Sequence, residues 1–190
     1  MVAISLTVSF FLKYDKIILL NEVLMENNNE VFNKYKLFAS FINETYDKNK
    51  KILDVGVGHA STSCLLASYG FNVCAMDKFS SYTIERLKRN DICFINDYFS
   101  LDTDISCYDL IVGLHCCNAI ELIIKSAISN NKEFLVTLCE TRKDISNYIL
   151  IKTREDYINY LMSFDNNIKR HDMPIYVDGE CWGHTLYLKK

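Results

Sequence analysis

Apolar and polar positions change period several times along the chain, and each change predicts an element. After the run Asn27-Asn28-Asn29, Phe32, Tyr35, Phe38, Ile42 and Tyr46 recur at helical spacing. Asn28 or Asn29 is placed to cap that helix, which should lay one face on a sheet. From Lys51 the apolar runs shorten to strand length, at Lys51–Val55, 71–76, 92–95, 108–114 and 134–138. Helical stretches alternate with them. One spans 61–69, with Gly70 placed to end it. A second spans Ser81–Arg89, and a third carries Ile120, Ile123, Ile124, Ala127 and Ile128 on one stripe. Thr153 followed by Asp156 predicts a helix N-terminus, with Tyr157, Leu161 and Phe164 on the buried side. The last stretches, 168–176 and 184–189, alternate like strands and flank Asp178-Gly179, a hairpin signal.

Alternating strands and helices predict an α/β fold, a mostly parallel, doubly wound sheet with helices on both faces. The final hairpin predicts an antiparallel close to that sheet. The sequence shows no repeat, low-complexity tail or linker, so one domain is expected. Residues 1–49 form an N-terminal helical segment packed on a core at 50–190.

Composition changes this picture little. Of 190 residues, 49% are hydrophobic and 24% charged, the balance of an ordinary globular chain. The net charge of −3 makes nucleic acid an unexpected default partner. Arg86, Lys88 and Arg89 read as a solvated helix face. The 8 cysteines include no C-x-x-C pair, and apart from adjacent Cys116-Cys117 they lie scattered through apolar runs. They read as small buried thiols of a reducing compartment, which points to the cytoplasm. The apolar stretch 2–12 has no basic residue before it and is too short to span a bilayer, so it reads as an element packed on the domain, with no membrane role.

The chemistry begins at Ile52-Leu53-Asp54-Val55-Gly56-Val57-Gly58, the first strand-to-helix turn. Gly56 and Gly58 allow a sharp turn and a close ligand approach that a Cβ would block. The helix behind them aims free N–H groups at the same spot. Asp77 ends the second strand, 19 residues beyond Gly58, where a carboxylate accepts hydrogen bonds from both hydroxyls of a ribose. Any adenosine-containing cofactor fits so far. A nucleotide-linked oxidoreductase fits less well: Ser61 stands where the dinucleotide fingerprint wants its third small residue, and Asp54 would face a pyrophosphate. A carboxylate at Asp54 suits a cofactor with a positive end.

These residues resemble the first motif of class I methyltransferases, whose cofactor, S-adenosylmethionine, carries a sulfonium and an ammonium. The resemblance implies their Rossmann-like seven-stranded sheet with an antiparallel last strand. It assigns the ribose to Asp77 and the adenine to Asp97, with Tyr98 or Phe99 against the ring; an Asx-type turn at Asp97 with Tyr98 in the core is the alternative.

A second block, Gly113-Leu114-His115-Cys116-Cys117-Asn118-Ala119 and Lys132-Glu133-Phe134-Leu135-Val136-Thr137-Leu138-Cys139, resembles a methyltransferase group with the segments G-L-H-x-C-x-A-T-[DE] and K-P-F-x-V-x-P-C-C. That group includes tRNA acceptor-stem ribose 2′-O-methyltransferases and orphan methyltransferase-like proteins. Ile120, Glu133, Leu138 and Glu140 depart from it. The resemblance places His115 at the substrate cleft, as a base toward a hydroxyl or amine or as cleft wall. Cys117, Cys139 and Glu140 would line the same cleft. The sequence lacks the [DN]-P-P-[YFW] segment of enzymes that methylate exocyclic nitrogens and the proline–cysteine context of base-C5 methyltransferases. A metal set drawn from His115, Cys116, Cys117, Cys139, His171, Cys181 and His184 lacks the short ligand pairs of zinc sites. His184 reads as structural.

The expected function is therefore methyl transfer from S-adenosylmethionine to a small molecule or RNA. The alternative is a non-catalytic subunit of the same fold, a homodimer or a protein complex, using the N-terminal segment as its interface.

Overall fold

A computed structural model describes residues 29–78, 81–139, 151, 153–177 and 180–190. The predicted element at 2–12, a cap at Asn28, the turn at Asp178-Gly179 and Glu140 lie outside the described residues.

Helix α1 (Asn29–Thr45) leads into β1 (Lys51–Val55), α2 (Ser61–Ser68), β2 (Asn72–Met76), α3 (Ser81–Arg89) and β3 (Cys93–Ile95). Then come β4 (Leu110–Leu114), α4 (Ile120–Ser129), β5 (Glu133–Thr137), α5 (Arg154–Met162), β6 (Lys169–Val177) and β7 (Glu180–Leu188). The strands form one seven-stranded sheet in the order β3-β2-β1-β4-β5-β7-β6. The first five are parallel, and β7 runs antiparallel between β5 and β6. This is the expected doubly wound, Rossmann-like sheet with its antiparallel C-terminal hairpin. Strand order reverses between β1 and β4, which makes the carboxyl ends of those two strands the natural ligand crevice.

The strands are apolar on both sides because helices cover both. On one face Leu53, Val55, Ile111, Phe134 and Val136 pack with Ile120, Ile123, Ile124 and Ala127 of α4 and Ile158 and Leu161 of α5. On the other, Ile52, Leu110, Val112 and Leu135 pack with Phe38, Ala39 and Ile42 of α1 and Leu66 of α2. Helix α3 joins that side through Leu87, against Val57 and Ala75. No described helix is long and apolar enough to cross a membrane.

Several boundaries move for visible reasons. The predicted strand at 108–114 starts at Leu110, because the Tyr108 N–H still closes a turn on the Ile105 carbonyl at 3.1 Å. Ile92 falls outside β3, since its N–H closes the end of α3 on the Leu87 carbonyl. The β6–β7 register shifts between Met173 and Tyr176, around Pro174. Proline has no N–H for the ladder, and an edge strand with an irregularity is where a sheet tolerates it.

The N-terminus of α5 holds the predicted cap in full. Thr153 Oγ1 accepts the Asp156 N–H at 3.0 Å, and the Asp156 carboxylate accepts the Thr153 N–H at 2.8 Å. Thr153→Ala should lower stability by about 1 kcal/mol. Urea denaturation would show it as a lower midpoint at an unchanged slope; an unchanged midpoint would mean that the reciprocal bonds contribute nothing.

Candidate functional site

The turn after β1 is built around two left-handed glycines, Gly56 at φ 69° and Gly58 at φ 54°. They serve different purposes. A Cβ on Gly56 would lie 2.5 Å from Cys116 Cβ, so this glycine makes room for the loop after β4. A Cβ on Gly58 would meet nothing within 4 Å, leaving that side of the turn open for a ligand. Gly113 completes the arrangement, for a Cβ there would stand 2.4 Å from Cys116 Sγ. Cys116 thus fills a notch between two glycines across the β1–β4 switch point. Buried, and close to Asp54 and Asp77, its thiol is pushed up to about 12, which leaves it inert as a nucleophile.

Asp54 is buried, 1% exposed, and accepts a 2.6 Å hydrogen bond from Ser63 Oγ. Burial outweighs that bond, with Asp77 adding repulsion, so its pKa rises to about 7. The fold therefore favours neutral Asp54. Its contribution to stability is complete below the ordinary value of 3.8 and lost as pH rises through about 7. Between pH 4 and 8 the wild type should lose stability relative to Asp54→Asn by on the order of 4 kcal/mol. Parallel denaturation curves for the two proteins would disprove the shift.

Asp77 stands where β2 ends, and its Oδ2 accepts the Gly58 N–H at 2.8 Å. Its Oδ1 accepts the N–H of Lys78 at 2.7 Å. Both oxygens keep acceptor capacity for further donors. Three groups brace the turn from behind: Ser63 on Asp54, Thr83 Oγ1 donating to the Gly58 carbonyl at 3.2 Å, and Arg86 Nη1 donating to the His59 carbonyl at 3.0 Å. Arg86 thereby leaves the solvated face on which the charge pattern put it. The hydroxyl run Ser61-Thr62-Ser63 was a readable sign of a donor for Asp54; Thr83 and Arg86 gave no such sign.

Asp97 and Tyr98 follow β3 beside this centre. Lys78 Nζ lies 3.2 Å from Asp97 Oδ1, and the Tyr98 N–H donates to the same oxygen at 2.9 Å. These contacts hold the exposed Asp97 carboxyl below its usual range. The bond from Tyr98 reaches the N–H one position on, not the two positions on that an Asx-type turn requires. Nor is Tyr98 in the core: it is 71% exposed, and Phe99 is the buried neighbour.

His115 ends β4 in a left-handed conformation, φ 56°, and its N–H donates to the Thr137 carbonyl at 3.0 Å. Ala60, Asp91 and Asn131 share this left-handed conformation, each at a turn between elements. Cys117 and Cys139 meet just beyond the ends of β4 and β5, but not as free thiols. They are disulfide-bonded, with Cα atoms 5.3 Å apart. The reading of the cysteines as small buried thiols holds for Cys74 and Cys116 but not for this pair, which meets beyond the β4–β5 ladder, nor for the exposed Cys93 and Cys107. Among the described residues no three metal-ligating side chains gather. His171 stacks on Phe41 at 4.4 Å on the α1 side, while His184 Nδ1 sits 2.9 Å from Asp172 Oδ1. Beside it, Arg170 bridges Asp172 and Glu155 at 2.9 Å, which gives His184 a structural setting.

No protein-family profile matches the chain, and no curated protein matches it in sequence. Its structure is similar to that of magnesium protoporphyrin IX methyltransferase from Synechocystis, solved with bound S-adenosylmethionine. The identity is 14% and the TM-score 0.59, over 83% of this chain and 79% of that one. It is also similar to 1,6-didemethyltoxoflavin-N1-methyltransferase from Burkholderia thailandensis, solved with S-adenosylhomocysteine, at 11% identity and TM-score 0.55, over 92% and 87%. A structure from Nostoc punctiforme ascribed to an O-methyltransferase shares 15% identity at TM-score 0.57, over 85% of this chain and 57% of that one. At such identities the likeness establishes a shared fold.

Proposed function

We propose that the chain is an S-adenosylmethionine-dependent methyltransferase acting on a hydroxyl or amine of a small molecule or RNA. The observation that carries this reading is the pairing of an open, left-handed Gly58 with the Asp77 carboxylate at the β1–β4 switch point.

The residues fit the cofactor's chemistry. Gly58 leaves backbone exposed, Asp77 suits two ribose hydroxyls, and the Asp54 carboxylate suits a cationic end. Asp97 and Tyr98 stand where the adenine is expected, and here Tyr98 offers an exposed ring face. When bound, the cofactor supplies an electrophilic methyl on a positively charged sulfur. Asp54 responds to such a charge by losing its proton, so binding near neutral pH should release protons. Methyl transfer mainly requires the acceptor to be held in line, a task of positioning. His115, Cys117 and Cys139 at the ends of β4 and β5, with Glu140 next in sequence, are the proposed acceptor wall. The His115 imidazole is the proposed proton acceptor.

The G-L-H-x-C segment supports this acceptor wall only through its resemblance to the group that carries it. The N-terminal segment and cytoplasmic location belong to the same proposal. Calorimetric titration with S-adenosylmethionine and S-adenosylhomocysteine, in two buffers of different ionisation enthalpy, tests it. Binding with proton release is the expected result, to be followed by a labelled-methyl screen of RNA and small-molecule acceptors. A folded protein that binds neither compound would overturn the reading in favour of a non-catalytic subunit bound to a protein partner.

A further inference from the structure

We infer that Cys117 and Cys139 form a reversible dithiol–disulfide site, exchanging with a small disulfide of the glutathione type, whose state sets the glycine turn at the β1–β4 switch point.

Three features converge on this pair. Both cysteines are partly exposed, so a soluble thiol or disulfide reaches them, while Cys116 between them and the core is buried. Their bond joins the two ends of the β4–α4–β5 crossover, positions 22 apart in sequence. And the segment it anchors is the one that carries the left-handed His115 and inserts Cys116 between Gly56 and Gly113. Cys117 is covalently tied to Cys139 on one side and adjacent to the wedge residue on the other. A change at the bond is therefore transmitted through one peptide unit to the underside of the turn.

The exchange is balanced as written. One cysteine thiolate attacks a sulfur of the small disulfide, forming a mixed disulfide and releasing one small thiolate. The second cysteine then attacks the protein sulfur of that mixed disulfide and releases the other. Two electrons and two protons leave the protein dithiol, and two small thiols form; an excess of reduced small thiol reverses the sequence. With the bond open, His115 is free to relax from φ 56° toward the ordinary negative range, drawing Cys116 from its notch and loosening Gly56. The bonded form is then the one with a fixed cofactor turn. The effect on cofactor affinity rests on the methyltransferase reading, whereas the exchange and the movement of Cys116 do not.

The experiment poises the whole protein in buffers of varied reduced-to-oxidised glutathione ratio, quenches with acid and maps the cysteines by alkylation and tandem mass spectrometry. A Cys117–Cys139 bond that forms and opens reversibly is expected, distinguished by its peptides from Cys74 and Cys93, whose sulfurs lie 2.8 Å apart. Independent alkylation of Cys117 and Cys139 at every ratio, or a bond no ratio opens, would overturn the site. Cys116 should be alkylated faster in reduced wild type and in Cys139→Ser than in the oxidised protein. Equal rates would overturn the link to the turn. Reduction should also weaken S-adenosylmethionine binding by about fivefold or more, the scale of a modest coupling. Equal affinities would overturn that coupling. Failure of both forms to bind would instead count against the methyltransferase reading, with the first two measurements still deciding the redox site.

Discussion

Asp77→Ala is expected to weaken S-adenosylmethionine binding by about 100-fold or more. A carboxylate that accepts two hydroxyl hydrogen bonds contributes about 1.5–3 kcal/mol through each, and every 1.4 kcal/mol is a factor of ten. Asp77 also accepts the Gly58 N–H, so alanine removes a brace of the turn along with the ligand contact. Asp77→Asn separates the two. Its amide oxygen can still accept from Gly58, while its NH2 group cannot accept from a ribose hydroxyl and gives up only the exposed Lys78 N–H besides. The asparagine protein should therefore keep the wild-type melting temperature within a few degrees and still lose most of its affinity. Calorimetry and thermal denaturation on the three proteins decide the matter. Wild-type affinity in Asp77→Asn would remove the ribose from this site and leave the cofactor assignment without its main support.

Gly183→Ala should destabilise the fold by about 3 kcal/mol or more, the scale of severe overpacking. A Cβ at Gly183 would lie 2.0 Å from the Met173 carbonyl oxygen and 2.7 Å from its carbon. Both are backbone atoms of the paired strand β6, so no rotamer change relieves the collision; the strands must part. Gly70 provides the comparison. At φ 89° it is left-handed, as Gly183 is not, and a Cβ there meets nothing within 4 Å, so alanine should cost about 1–2 kcal/mol of backbone strain. Denaturant midpoints should rank wild type, Gly70→Ala, then Gly183→Ala. Equal losses in the two variants would show that strand contact at Gly183 adds nothing to its energetics.

The two glycines also show how differently parts of this molecule can be read. Gly70 ends a helix, a local event, and its place was evident from the periodicity before it. Gly183 matters only because β6 lies against β7, and nothing in Trp182-Gly183-His184 signals that approach. The candidate site divides in the same way. Asp54, Gly56, Gly58 and Asp77 were legible because a strand, a turn and the next strand form a contiguous unit of about thirty residues with known spacing. Asp97 was legible as a position but not in its contacts: the Lys78 that pairs with it comes from the end of a neighbouring strand.

Local order along the chain was enough to determine the alternation of strands and helices, the cap at Thr153, the acid–glycine turn and the C-terminal hairpin. Each depends on residues a few positions apart, whose geometry the backbone itself imposes. Tertiary structure alone decided that Arg86 braces the turn, that Cys116 fills the space conceded by Gly56 and Gly113, and that Cys117 bonds Cys139. Those contacts join segments far apart in sequence, at distances set by strand order and register. Arg86 reaches the turn from a helix, and the three cysteines sit in loops beyond the strand ends, so no period or spacing in the sequence could announce them.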